Sequence, residues 1–170
     1  TTLFRSADDR LHPGAPESRR VGLDDDCDGY VDEVQVPTDA ATVLAGLALV
    51  GPGEVLQVVG VVEEDVDLRG YDVVLAGEGC ARSALLGTGA GPVLWADGGR
   101  VEGLTLMGGR DAGLVVSGDV EARRVCVEGN TSPGNGGGIR VEAGSLVLED
   151  ARVSDNVAAF DGGGVAVQRG

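Results

Sequence analysis

An ungapped internal repeat is the feature that most constrains what this chain can fold into. The segment VEARRVCVEGNTSPGNGGGIRV, from Val120, aligns without a gap with LVLEDARVSDNVAAFDGGGVAV, from Leu146. Upstream, VEGLTLMGGRDAGLVV fits the same frame with a shorter turn, so that Leu106 is the counterpart of Val127. Self-similarity at a fixed period of roughly 20–50 residues indicates a solenoid or a related array, in which each repeat forms one structural unit.

Each repeat contains short apolar runs with the period of two that is typical of β-strands. Leu104 and Leu106 are expected to point inward and Thr105 outward, and Arg140 is the outward residue of a later run. A unit this short and without a helix cannot bury its apolar face alone, so it must stack on its neighbours. The pattern predicts an all-β fold, a parallel β-helix with an aliphatic bore over residues 54–170.

Composition supports this fold and excludes some partners. Hydrophobic residues make up 42% of the chain and aromatic residues 3%, so the core must be built from Val, Leu and Ala. The net charge is −15 and the chain has no lysine. Such a surface repels phosphate groups, so we expect neither a nucleic-acid partner nor binding to an anionic membrane. Divalent cations are its natural counterions.

One helix is predicted, over residues 38–50. Thr38 or Asp39 is a suitable N-cap. The helix would present Val43, Leu44, Leu47 and Val50 on one apolar face and end at GPGE, residues 51–54. Because it precedes the first expected strand, VLQVV at 55–59, we expect it to cap the open end of the solenoid. The longest apolar stretch, residues 40–50, is too short to span a bilayer.

Recurrent polar and glycine positions indicate structural roles within the repeats. Asn130 and Asn156 follow the same strand in successive repeats, which predicts a ladder of side-chain to backbone hydrogen bonds. The triplets Gly136–Gly138 and Gly162–Gly164 permit tight turns or positive φ before the next strand.

Charged residues and cysteines in the repeats also have structural interpretations. We interpret Arg123 and Arg124, beside Glu121, as an exposed face joined by ion pairs. Cys80 could form a disulfide with Cys126, but nothing in the sequence requires it.

The segment DDDCDGYVDE, residues 24–33, is the strongest candidate for a binding site. Alternate carboxylates followed by a glycine resemble the first half of an EF-hand calcium loop, although Gln35 stands where a full EF-hand has its bidentate Glu. The predicted ligands are the side chains of Asp24, Asp26, Asp28, Asp32 and Glu33 and the carbonyl of Tyr30.

Oxygen ligands favour Ca²⁺, the cofactor that we expect here. Two alternatives stay open. Copper would require nitrogen or sulfur ligands, for which His12 and Cys27 are the nearby candidates. Alternatively, the segment is a solvated acidic linker.

Residues 7–33, ADDRLHPGAPESRRVGLDDDCDGYVDE, resemble the MopE-type metal-binding repeat of secreted and surface proteins of Gram-negative bacteria. The likeness lies in HPGAPE and in the pattern DxDCDGxVDE. Arg20 and Val21 depart from it, because the family has Cys and Asp there. Cys27 therefore lacks the disulfide partner that the resemblance would supply.

Residues 34–170 resemble right-handed parallel β-helix proteins of the pectin-lyase-like superfamily. These commonly open with a short helix, a Pro-Gly turn, a first strand and a V-x-L-x-G coil, which correspond here to VPTDAATVLAGLALVGPGEVLQVVGVVEEDVDLRGYDVVLAGEG. GGRVEGLTLMGG is similar to a following coil. The resemblance implies the fold and the right-handed winding, but that fold supports many functions.

The predicted organisation has four parts: residues 1–6, 7–36, 37–53 and 54–170. TTLFRS at 1–6 is similar to a translated sequencing adapter and is interpreted as an artefact. Residues 7–36 are assigned to the metal-binding segment, 37–53 to the capping helix and its turn, and 54–170 to the coils. Because a repeat strand runs almost to Gly170, we interpret the chain as a fragment of a longer protein with further coils.

These observations predict a secreted or cell-surface protein with a structural or binding role. We expect a monomer whose calcium-binding segment leads into a β-helix that presents a glycan or another surface component with a long flat side. The alternative is a polysaccharide lyase or glycoside hydrolase of the pectin-lyase-like class. No catalytic residue is assigned, because His12 lies outside the coils and no convergent Asp/Arg cluster is evident in the sequence.

Overall fold

The structure, a computed structural model, describes residues 33–168 as a parallel β-solenoid of about six turns with almost no helix. This confirms the predicted fold class. The elements are β1 (Val34–Val36), α1 (Val43–Leu47), β2 (Val55–Val58), β3 (Val61–Glu63), β4 (Val66–Asp67), β5 (Val74–Gly77), β6 (Ala84–Leu86), β7 (Leu94–Ala96), β8 (Arg100–Glu102), β9 (Thr105–Met107), β10 (Leu114–Val116), β11 (Asp119–Arg123), β12 (Cys126–Glu128), β13 (Thr131–Ser132), β14 (Ile139–Val141), β15 (Ser145–Glu149), β16 (Arg152–Ser154), β17 (Val157–Ala158) and β18 (Val165–Val167).

Three parallel sheets run along the solenoid, and a complete turn contributes one strand to each. Sheet A has the order β1-β2-β5-β8-β11-β15, sheet B the order β3-β6-β9-β12-β16, and sheet C the order β4-β7-β10-β14-β18. Strands β13 and β17 form a fourth, two-stranded sheet, because among the described turns only the last two have the longer connection. Consecutive turns thus hydrogen-bond to each other through every sheet.

The strand register reproduces the sequence repeat. Val120 pairs with Leu146 in sheet A, and Val127 lies between Leu106 and Val153 in sheet B. Inward residues form aliphatic stacks, such as Leu56, Leu75, Val101 and Ala122, all of which are buried. In the last described turn the stack ends at Leu148, which is 38% exposed because no described turn covers it.

The predicted ladder and turns are present. The Asn156 side-chain oxygen accepts the backbone N–H of Asn130 at 3.0 Å. Gly136 and Gly162 have φ of +69° and +66°. A Cβ on Gly138 would lie 2.6 Å from the carbonyl oxygen of Gly164, so the triplets also permit close approach of successive turns.

The cysteine pairing that the sequence left open is resolved. Cys80 and Cys126 form a disulfide with a Cα–Cα distance of 5.8 Å. It links the loop before β6 to β12, two turns further on. Between them, the Thr105 hydroxyl donates to the Cys80 carbonyl at 2.9 Å. Thr105, which was expected to point outward, is therefore covered by this loop and buried.

The helix is shorter than predicted. It spans Val43–Leu47 and not 38–50, and its N-cap is Thr42 instead of Thr38 or Asp39. Asp39 is engaged in a preceding turn, in which its carboxylate accepts the backbone N–H of Gln35 at 2.9 Å. Leu44 is 64% exposed, so it does not belong to the apolar face that packs on the core.

The solenoid also begins earlier than the sequence suggested. Strand β1 pairs in register with β2, and its inward residues Val34 and Val36 are fully buried. Sheet A thus starts within the segment 7–36 that was assigned to metal binding, well before the expected first coil at position 54. Within residues 33–168, no helix has the length and apolar character needed to cross a membrane.

Candidate metal-binding segment and outer-face cleft

The predicted metal ligands fall almost entirely outside the part of the chain that the structure describes. Asp24, Asp26, Asp28, Tyr30 and Asp32 lie outside the described residues, as do His12 and Cys27. Glu33 is described, and its position relates the segment to the solenoid.

Glu33 lies at the junction between the acidic segment and the first strand. Glu33 is 1% exposed and directly precedes β1. The side-chain amide Nε2 of Gln35 donates to Glu33 Oε1 at 3.1 Å. Gln35 is itself buried, on the same face of β1 as Glu33. The last acidic residue of the segment therefore contacts the first strand of the solenoid, and no linker separates the segment from that strand.

The described part of the solenoid holds no second candidate metal site. Among residues 33–168, no group of three or more His, Cys, Asp or Glu side chains is arranged to hold an ion. The acidic segment that precedes β1 therefore remains the candidate.

A cleft of about 600 Å³ lies on the outer face of sheet A, where the strands begin. It crosses five successive turns and is lined by Gly53, Asp72, Val73, Val74, Gly99, Arg100, Asp119, Val120, Glu121, Ser145 and Val147. The volume falls within the range of roughly 300–1,000 Å³ that is usual for ligand sites. Charged groups therefore converge on one face across adjacent turns, a cluster that was not evident in the sequence.

The charges in the cleft are partly paired. Arg100 Nε lies 3.2 Å from Glu121 Oε2, which is also 3.4 Å from Arg123 Nη2. The Ser145 hydroxyl donates to Asp119 Oδ1 at 2.8 Å. This arrangement confirms the interpretation of the 121–124 region as an ion-paired face. Register alone could have revealed the cluster, since its members occupy paired positions on neighbouring strands of sheet A.

The outer face of sheet C carries a second group of charged residues, around Trp95. The Arg69 guanidinium lies 3.8 Å from the centroid of the Trp95 ring and forms an ion pair with Asp67 at 2.6 Å. The hydrogen bond from Arg69 lowers the pKa of the Asp67 carboxyl below its usual value.

Arg140, two turns further along the same face, points outward as predicted and is nevertheless buried. It forms ion pairs with Asp111 and Glu142, both at 2.9 Å. The hydrogen bond with Asp111 raises the pKa of its guanidinium. These contacts satisfy the arginine, which is consistent with a structural role.

The fold and the preceding segment define a parallel β-solenoid protein that carries a metal-binding motif. Residues 7–33 match the family model Cu-binding MopE, whose description is "Putative metal-binding motif". That match covers a small part of the chain and ends at the residue directly before β1. Neither the curated proteins nor the solved structures gave a match to the chain.

Proposed function

We propose that this chain is a calcium-stabilised structural and binding protein of the cell exterior. The observation that carries the proposal is the metal-binding motif at 7–33 running without a linker into the first strand of a parallel solenoid. Asp24, Asp26, Asp28, Asp32 and Glu33 would supply carboxylates and Tyr30 a carbonyl. This donor set is all oxygen and suits a hard divalent cation.

Titration calorimetry with Ca²⁺ tests the proposal directly. The wild-type chain should bind with a dissociation constant on the order of 10⁻⁴–10⁻³ M, as in extracellular modules. The double variant Asp26→Ala, Asp28→Ala should show no saturable heat. The matched control Asp150→Ala, Asp155→Ala removes two carboxylates from the last described turn of the solenoid and should bind as the wild type does. Equal heats from all three proteins would contradict a site in the segment.

Copper is the second candidate ion, because the matched family model carries copper in its name. Its ligands would be the imidazole of His12 and the thiolate of Cys27 instead of the carboxylates. Cu²⁺ titration of His12→Ala and Cys27→Ser distinguishes the two ions. A copper affinity that these changes abolish, together with no response to Ca²⁺, would replace calcium by copper in the proposal.

The disulfide supports the proposed extracellular location. Disulfides persist mainly in oxidising compartments, and Cys80–Cys126 joins two turns of the solenoid. We propose that the solenoid belongs to the pectin-lyase-like class and that the protein is secreted. Detection of the chain in the culture medium or on the cell surface, with these cysteines oxidised, would support this location.

The cleft on sheet A is the place where we propose that a glycan or another surface component binds. It combines hydrogen-bonding groups, such as Asp72 and Asp119, with the apolar surfaces of Val74 and Val147. Glycan-array binding that the pair Asp72→Asn, Asp119→Asn removes, and that Asp150→Asn, Asp155→Asn leaves unchanged, is the expected result. Binding that is unaffected by the first pair would place the ligand elsewhere.

The alternative function is that of a carbohydrate-active enzyme, and residues of the same cleft support it. Arg100 and Glu121 on neighbouring turns are residue types used for proton transfer and charge stabilisation in glycan cleavage. Incubation with polysaccharides and measurement of new reducing ends or unsaturated products tests this. Cleavage that Arg100→Met or Glu121→Gln abolishes would establish the enzyme, whereas binding without products would support the structural role.

A further inference from the structure

We infer that the ligand of the sheet A cleft is a glycan with positively charged amino groups, of the kind found in a β-1,4-linked glucosamine polymer. This inference rests on the proposed glycan-binding function and names the class of glycan. It is carried by two carboxylates, Asp72 and Asp119, which line the cleft at positions two turns apart. A uronic-acid polymer is the ligand that these charges disfavour.

The positive charge of the cleft is balanced by neighbouring glutamates. Arg100 Nε lies 3.2 Å from Glu121 Oε2. Arg123, on the same outer face, bridges Glu121 at 3.4 Å and Glu149 at 3.2 Å. Two arginines therefore face two glutamates, and this group adds no net charge. A ligand that carries carboxylates would have to compete with these ion pairs for the guanidinium groups.

The two aspartates give the cleft its excess of negative charge. Both residues are exposed, and among residues 33–168 neither carboxylate has an ion-pair partner. Asp119 accepts a hydrogen bond from the hydroxyl of Ser145, which leaves its charge in place. A cleft lined by charge of one sign attracts ligands of the opposite sign and repels those of its own. Asp72 and Asp119 are therefore suited to ammonium groups.

The strand register sets the separation of the two carboxylates. Strand β5 pairs with β8 and β8 with β11, so that Val74, Arg100 and Glu121 form one row across three turns. Asp72 and Asp119 each lie two positions before that row, and they therefore share one outward column. Two steps between neighbouring strands separate them by roughly 10 Å along the solenoid axis.

A β-1,4-linked chain of amino sugars matches this separation. Each ring advances the chain by about the spacing of one strand, and successive rings are turned over. Amino groups on one side of the chain therefore recur at every second ring, which corresponds to every second turn of the solenoid. In an extended peptide, side chains on one side recur at about 6.6 Å, which does not match. The exposed surfaces of Val74 and Val147 offer apolar contacts to the ring faces.

Calorimetry with two oligosaccharides of equal length tests the charge of the ligand. The probes are β-1,4-linked glucosamine oligomers, one with free amines and one with every amine acetylated. At about pH 5.5, sugar amines are protonated and carboxyl groups are ionised. We expect the free-amine oligomer to bind about tenfold more tightly, as two solvent-exposed ion pairs would give, and the preference to weaken as salt is added. Equal affinities would overturn the inference and leave the glycan site in place.

The double variant Gly98→Asp, Asp119→Asn tests the spacing at constant charge. Gly98 lies in the same column on the turn between the two aspartates, a Cβ there would meet no atom within 4 Å, and its φ is not left-handed. The variant places its carboxylates on neighbouring turns and should lose the preference for free amines. The control Gly98→Asn fills the position without charge and should keep it. An unchanged preference in the double variant would contradict recognition by Asp72 and Asp119.

Three further outcomes separate the class of ligand from the function itself. Polygalacturonate that binds more tightly than the free-amine oligomer would reverse the expected charge of the ligand and overturn the inference. Oligolysine of the same charge that binds equally well would replace the glycan by a basic peptide. If no oligosaccharide binds the wild-type chain, the proposed glycan-binding function and the inference fall together.

Discussion

Asn130 and Asn156 occupy equivalent positions on the last two turns of the described solenoid, and each side chain bonds along the solenoid axis. Asn130 accepts the N–H of Gly109 at 2.8 Å through Oδ1 and donates to the Leu106 carbonyl at 3.0 Å. Asn156 makes the same contact with its preceding turn, since its side chain donates to the Val127 carbonyl at 2.8 Å. Asn130 is fully buried, so its amide satisfies backbone groups that water does not reach.

Asn130→Ala should therefore be strongly destabilising. The change leaves the Gly109 N–H and the Leu106 carbonyl without this partner inside the protein, at a cost of about 2–3 kcal/mol. Asn135→Ala, in a partly exposed turn, is the control and should cost under about 1 kcal/mol. Urea unfolding measures both. Similar losses for the two variants would contradict a ladder role for Asn130.

The Glu64 side chain should stabilise the N-terminus of the capping helix α1. Its carboxylate accepts the N–H groups of Val43 at 2.7 Å and Leu44 at 3.0 Å, so it satisfies the first turn of α1 from a position beyond β3. Glu64→Ala should cost about 1 kcal/mol, the usual value of an N-cap. Glu63→Ala removes an adjacent exposed carboxylate and should lie within about 0.5 kcal/mol of the wild type. A larger effect at Glu63 than at Glu64 would be inconsistent with the capping contact.

Reduction of the disulfide should lower stability. The bridge between Cys80 and Cys126 closes a loop with a sequence separation of 46 residues. The chain-entropy relation gives about 4 kcal/mol for a loop of this length. Unfolding of Cys80→Ser, Cys126→Ser measures the loss, with reductant added to the wild type as the parallel condition. An unchanged unfolding midpoint would mean that the bridge adds nothing to the stacked sheets.

Asp155→Gly should be stabilising, which is unusual for a glycine substitution. Asp155 has φ of +56° and aligns with Gly129, which has φ of +65°. Glycine removes the steric cost of the left-handed conformation, which we expect to gain about 0.5–1 kcal/mol. The control Asp161→Gly has no positive φ to relieve and should lose a similar amount. Thermal melting of both variants measures the change in stability. A change of the same sign in both would contradict a steric cost at Asp155.

The ion pair between Asp67 and Arg69 should give a small, acid-sensitive contribution. The pKa of Asp67 is lowered in the folded state by the Arg69 hydrogen bond. Its stabilisation is therefore complete above the unfolded pKa of about 3.9 and disappears as pH falls through the folded pKa. Both side chains are about half exposed, so solvent screening keeps the effect small. The unfolding midpoints of Asp67→Asn and the wild type should differ at pH 7 and converge as the pH falls through the folded pKa of Asp67. A constant difference would point to another cause.

The repeat period predicted the solenoid, but it did not predict where the helix and the first strand begin and end. The alternation that placed Leu104 and Leu106 inward depends only on strand geometry, so it holds in the structure. The helix boundary failed because Asp39 bonds to Gln35 in a turn, a competition between local contacts that propensity does not resolve. Strand β1 was missed because so short a strand beside an acidic cluster carries too little pattern.

The sequence by itself determined the class of fold, the repeat length, the ladder positions and the metal-binding motif. Each of these features depends on the spacing of residues along the chain. In stacked parallel strands, that spacing fixes which residues pair between turns. Only the tertiary structure decided the Cys80–Cys126 bridge, the Glu64 cap and the cleft that contains Arg100 and Glu121. These groups meet because the winding of the solenoid brings distant positions together, and the unequal lengths of its turns set which side chains meet.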